Sequence, residues 1–81
     1  SVPTDMTGLK NLNFGDTVLL EASTYPPSGA TGNFNGVAGK LYEWYGSSEE
    51  GIDTNLLDED FSDTSRWGEI LVNLDVFGGL N

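Results

Sequence analysis

The sequence contains no cysteine and no histidine. That excludes thiolate and imidazole chemistry, zinc sites of the usual kind, and every Ser-His or Cys-His triad. The lack of cysteine does not fix a compartment, but it suits bacterial secreted proteins, which often avoid the residue. Basic residues are nearly absent too: Lys10, Lys40 and Arg66 stand against thirteen Asp and Glu, for a net charge of −10. Such a chain repels phosphate backbones and anionic lipid, so nucleic acid and membrane surfaces are poor partners. Cations, basic proteins and neutral ligands such as glycans remain. No apolar run reaches the length of a membrane span, so no membrane insertion is expected. No signal-peptide pattern is read in the chain. Its start at Ser1 rather than Met fits a processed product or an excised piece that has lost such a signal.

What is present suffices for one thin core. Eighty-one residues make a single domain, near the lower limit for folding without disulfides or metals. The apolar share is 37 %, ordinary for a globular chain and too high for a solvated tail. Nine aromatic residues must supply much of the buried area: Phe14, Phe34, Phe61, Phe77, Trp44, Trp67 and the tyrosines Tyr25, Tyr42 and Tyr45.

Residues 1–15 are turn-rich and read as an entry segment with one short strand between Leu9 and Phe14. Thr17 to Ala22 is a β-branched and aliphatic run of strand length, opened by the turn signal Gly15-Asp16. Residues 23–39 hold Pro26, Pro27, Gly29, Gly32, Gly36 and Gly39 and predict a long surface loop with few buried contacts. Lys40 to Tyr45 is the clearest strand. Its period of two puts Leu41, Glu43 and Tyr45 on one face and Tyr42 and Trp44 on the other. Asn55 to Phe61 predicts a single helical turn, and Ser62 or Asp63 a capped turn that carries Trp67 inward. Trp67 to Leu74 reads as the last major strand, and 75–81 as a linker or a further strand. These signals predict an all-β domain: a small barrel or sandwich of four to six short strands with one short helical turn.

Two groups of residues are candidates for a site. Tyr42 and Trp44, joined by Tyr25, form a flat platform for sugar rings in one reading and the core of the domain in the other. Asp58, Asp60, Ser62 and Glu69 stand at relative positions 1, 3, 5 and 12, the ligand spacing of a calcium-binding loop of the EF-hand kind. Position 6 is Asp63 where that loop needs glycine, and a strand follows Glu69 where it needs a helix. A looser calcium site on Asp58, Asp60 and Asp63 is the alternative to a solvated acidic face. Paired carboxylates abound, but so short a chain rarely builds the cleft a glycosidase needs, and no base stands beside the hydroxyl residues. No enzymatic activity is expected.

Taken in order, Gly15-Asp16-Thr17-Val18, Gly39-Lys40-Leu41-Tyr42-Glu43-Trp44-Tyr45-Gly46 and Phe61-Ser62-Asp63-Thr64-Ser65-Arg66-Trp67 form a pattern. It resembles the short module repeated in very large secreted bacterial exoproteins of the RTX-adhesin type. A looser similarity runs to small carbohydrate-binding modules and phage tail modules. The first resemblance implies an extracellular structural or adhesive module, one unit of a larger protein, with neighbouring modules or subunits as partners. A carbohydrate-binding module is the first alternative and a calcium-dependent surface protein the second.

Overall fold

A computed structural model describes residues 4–20 and 26–71, and within them the chain is all-β. Five short strands are present: β1 (Leu9–Lys10), β2 (Thr17–Leu19), β3 (Leu41–Trp44), β4 (Thr54–Asn55) and β5 (Trp67–Ile70). They form two antiparallel sheets, one of order β1-β4 and one of order β2-β3-β5, which do not close into a barrel. A single 3-10 turn, Leu56–Asp58, is the one helical element among the described residues.

β3 is central because both of its faces carry large side chains, as the sequence predicts. Its residues alternate between half-buried and buried, with Tyr42 and Trp44 inward. The register sets Trp44 opposite Trp67, and the two indoles meet edge to face with centroids 5.1 Å apart. Phe61 packs in tilted contacts with ring centroids 4.5 Å from Trp67 and 5.2 Å from Tyr42, while Phe34 meets Phe61 edge-on at 5.8 Å. Both tryptophans are fully buried, with no exposed area. Val18, Leu20, Leu12, Leu56 and Met6 complete the cluster. A ring-rich core of this kind is how a short chain gathers enough apolar area, since each aromatic side chain buries roughly 150–250 Å².

The small sheet is an addition to what the sequence predicts. Thr54 and Asn55 carry no strand signal, yet they pair with Lys10 and Leu9. Side chains rather than strand propensity hold them there. Asn11 Oδ1 accepts from the Asp53 amide (3.1 Å), where Asp53 itself takes a left-handed backbone (φ 55°). Thr54 Oγ1 donates to the Gly51 carbonyl, and Asn55 Oδ1 accepts from Leu57 N at the start of the 3-10 turn. A polar pair of residues thus becomes a strand because its flanks are fixed.

The Gly- and Pro-rich stretch is a surface loop in which no residue of 26–39 is buried, but part of it is hydrogen-bonded to the rest of the domain. Thr31 N donates to the Leu57 carbonyl (2.9 Å) and Asn35 N to the Glu59 carbonyl (3.1 Å). Phe61 N donates back to the Asn35 carbonyl (2.7 Å). These bonds lay residues 31–35 alongside 57–61, with a parallel bridge from Asn35 to Asp60. Phe34 is the reason: the one large apolar residue at this point of the stretch packs on the core and brings its neighbours with it. Tyr25 and the tail at 75–81 lie outside the described residues.

Two outcomes follow from this packing. Amide hydrogen exchange should find Thr31, Asn35 and Phe61 protected to the level of the β3 amides, while exposed Gly32 exchanges freely. Rapid exchange at Asn35 and Phe61 would show that the two segments do not hold together. Trp67→Ala should cost about 3–5 kcal/mol, a large part of the stability of so short a domain. A cooperative melt kept within a few degrees of the parent would place the indole outside the core.

Candidate functional site

Seven aromatic residues fall within the described segments, and their burial divides them into two groups. Tyr42, Trp44, Phe61 and Trp67 are buried and Phe34 packs against them, whereas Phe14 is 70 % and Tyr45 44 % exposed. Those two exposed rings are neighbours, with centroids 6.4 Å apart and planes inclined by 31°.

The backbone explains why they meet. Asn13 to Asp16 forms a turn closed by Asp16 N on the Asn13 carbonyl (2.9 Å), with Asp16 Oδ2 accepting from Asn13 N (2.8 Å). Gly15 takes φ 94°, which glycine adopts without strain, and its amide donates to the Trp44 carbonyl (2.9 Å). Trp44 N returns a bond to the Asp16 carbonyl (2.8 Å). The turn is therefore fixed to the end of β3, and Phe14 at its tip stands beside Tyr45, the residue after that strand. Across the sheet the Tyr45 ring lies over Gly68, where a Cβ would run into the phenol. Glycine at this point of β5 is what lets the phenol end of the ring approach the strand so closely. The Glu43 carboxylate is close to Gly15 on the same face. An exposed apolar pair beside a carboxylate can stack on a flat apolar surface and accept hydrogen bonds at its rim.

The residues singled out from the sequence are placed otherwise. Tyr42 and Trp44 do not form an open platform: both rings are buried, because the thin core takes the aromatic face of β3. The Tyr42 hydroxyl accepts from Val37 N (3.0 Å), and Trp44 Nε1 donates to the Ser47 carbonyl (3.3 Å). Tyr25 lies outside the described residues. Phe14 and Tyr45, counted with the core aromatics from the sequence, are outside the core cluster, although the alternation of β3 already set Tyr45 on the face opposite Tyr42 and Trp44.

Nor are Asp58, Asp60 and Asp63 brought together. Asp58 accepts from Thr31 Oγ1 and Asn33 Nδ2, which ties it to the Gly- and Pro-rich stretch. Asp60 accepts from the amide and hydroxyl of Ser62, and Asp63 from the amide and hydroxyl of Ser65. Asp5 does the same for Thr7. An aspartate two residues before Ser or Thr closes a local turn in each case, so spacing that suits a cation serves the backbone instead. Among the described residues no group of three or more acidic side chains gathers as a metal site. The Asp63 turn also carries Trp67 inward, since the Asp63 carbonyl accepts from Arg66 N and Trp67 N.

One carboxylate in the acidic segment has a different task. Glu59 is 14 % exposed and accepts from Trp67 Nε1 at 3.0 Å and from Arg66 Nη2 at 3.0 Å. The Arg66 guanidinium in turn lies 4.7 Å from the centre of the Trp44 ring. This cluster is structural.

Comparison of the chain with protein-family models, with curated proteins and with solved structures returned no match.

The turn-closing bonds set the response to acid. Hydrogen bonds from Thr31 and Asn33 hold the Asp58 carboxyl below its ordinary value, and those from the Ser65 hydroxyl and amide do so for Asp63. The Asp5 carboxyl is lowered likewise, first by the Thr7 amide. A lowered folded pKa favours the folded state above the unfolded value, near 4, and that contribution fades as pH falls through the folded value. Stability should therefore be flat from about pH 5 to 7 and decline below about pH 4. Calcium and sodium at matched ionic strength should shift the melt alike, as expected for screening of a solvated acidic surface. A rise of several degrees with millimolar calcium alone, lost in Asp60→Asn, would overturn this assignment of the acidic residues.

Proposed function

We propose that this chain is an extracellular structural or adhesive module, a binding unit rather than an enzyme, that engages its partner through the face centred on Phe14 and Tyr45. The observation that carries this reading is the pairing of two exposed rings in a domain short of core. Leaving the Phe14 ring mostly in water forgoes much of the roughly 1.5–3 kcal/mol that full burial would bring, and a fixed turn holds it beside Tyr45 in that state. Exposed apolar residues scattered singly are ordinary, but a held pair suits a contact surface. The resemblance of the aromatic strand and the turn before Trp67 to secreted exoprotein modules supports the extracellular setting.

A carbohydrate-binding module is the second reading, and the same pair favours it. The two rings are exposed neighbours inclined by 31°, and Glu43 supplies a hydrogen-bond acceptor nearby. Neutral sugars meet both requirements, while the charge of −10 opposes anionic ones.

The double variant Phe14→Ala/Tyr45→Ala tests both readings, because neither ring belongs to the core cluster. Its melting temperature should stay within a few degrees of the parent. Binding of the parent to neutral sugars on a glycan array, lost in the double variant, would select the carbohydrate reading. A silent array, with attachment of chain-coated particles to cell surfaces lost in the double variant, would select the adhesive one. Equal behaviour of parent and variant in both assays would remove this face from the function.

A further inference from the structure

The two outer edges of the three-stranded sheet are unlike each other. On the β2 side, Thr4 covers the Leu19 end of the edge: its amide donates to the Leu19 carbonyl (3.0 Å) and its hydroxyl accepts from Leu19 N (2.9 Å). The β5 side has no such cover among the described residues. Tyr45 N donates to the Arg66 carbonyl, and the register pairs Glu43 with Gly68 and Leu41 with Ile70. Main-chain groups of an antiparallel strand alternate in direction, so Arg66, Gly68 and Ile70 turn theirs toward β3. Trp67, Glu69 and Leu71 turn theirs outward. The Trp67 amide is taken by the Asp63 carbonyl, which leaves the Trp67 carbonyl, both groups of Glu69 and the Leu71 amide facing out. Leu71, at the end of this edge, is 81 % exposed.

Open edges are usually blunted by proline, a bulge or an unpaired inward charge. None of these interrupts Trp67–Ile70, and the charge that is present, Glu69, is already paired with Lys40 at 2.7 Å. Charge decides which chain suits the edge. Two copies joined along β5 with Glu69 opposite Glu69 would set like charges face to face and bring together two bodies of −10 each. A strand carrying lysine or arginine meets the opposite field. Its residue opposite Gly68 would reach the face covered by the Tyr45 ring, where a cation is favoured.

We infer that β5 is a docking edge for an extended, basic segment of another polypeptide, which adds as a fourth strand beside Trp67–Leu71 through main-chain hydrogen bonds. The inference uses the edge of the sheet and stands whether or not the Phe14–Tyr45 face binds a glycan.

The probe is a synthetic peptide of alternating lysine and valine, seven residues long, with blocked ends. It is compared with the same peptide N-methylated at every second residue, which keeps the charge and removes alternate donors. Binding of the unmodified peptide should shift the amide resonances of Glu69, Gly68 and Leu71. Methylation and the variant Leu71→Pro should each weaken it, by roughly fivefold for every hydrogen bond lost. Leu71 follows β5 and is outside the core, so the variant should keep the parent's melt. Equal affinity for both peptides, or shifts confined to residues 49–63, would reduce the interaction to bulk charge and overturn the inference. Concentration-dependent dimerisation that Leu71→Pro abolishes would overturn it in favour of a second copy.

Discussion

The structure depends on one carboxylate placed under a tryptophan. Glu59 leaves the end of the 3-10 turn with little exposure, and there it receives the Trp67 indole N–H and the Arg66 guanidinium. Without it, the indole nitrogen would be a buried donor with no acceptor, which costs about 1–3 kcal/mol. With it, the edge of Trp67 is fixed, and so are the rings that lean on it. Trp44 meets Trp67 edge to face and lies under the Arg66 guanidinium. The pair of charges is not isolated from water, since Arg66 is about two-fifths exposed, so its Coulombic gain is small. Its value lies in geometry: a single acceptor orients an indole and a guanidinium that between them define the centre of the sheet.

That arrangement also explains why the segment from Asp58 to Asp63 is acidic although its carboxylates do not converge. Glu59 serves the core, Asp58 holds Thr31 and Asn33, and Asp60 and Asp63 close turns onto Ser62 and Ser65. Four carboxylates within six residues therefore point along different hydrogen-bond directions. For Asp58, Asp60 and Asp63 these bonds all fall on Oδ1, and they shape the path from the 3-10 turn to β5. The parallel contact between 31–35 and 57–61 rests on the same residues, so the Gly- and Pro-rich stretch and the acidic stretch form one unit.

Much of this was legible in the residues, and the exceptions have physical causes. The alternation of Leu41 to Trp44, the inward turn to Trp67 and the all-β character follow from periodicity and turn chemistry. β4 was not legible, because Thr54 and Asn55 are made a strand by partners forty residues away in the chain, such as Asn11 (roughly the distance at which local propensity says nothing). The docking of residues 31–35 was hidden for a related reason: composition reported six Pro and Gly residues, while a single Phe34 decided the outcome. The site was half legible. Period two separates Tyr45 from Tyr42 and Trp44, but which face turns inward depends on what the other strands supply. Val18 on β2 and Trp67 on β5 supply it on the Tyr42 side.

The same alternation fixes what the outside can be. Once Trp44 and Trp67 are paired inward, register places Glu43 opposite Gly68 on the outer face. A side chain on Gly68 would displace Tyr45, whose phenol occupies that space. The inner pair and the exposed ring are thus two results of one register, and a slip by a single residue would reverse both. A glycine in a strand weakens it locally, yet here it is the position that admits an aromatic ring onto the outer surface. The conclusion is that the exposed rings are specified by the packing of the core and are not left over from it.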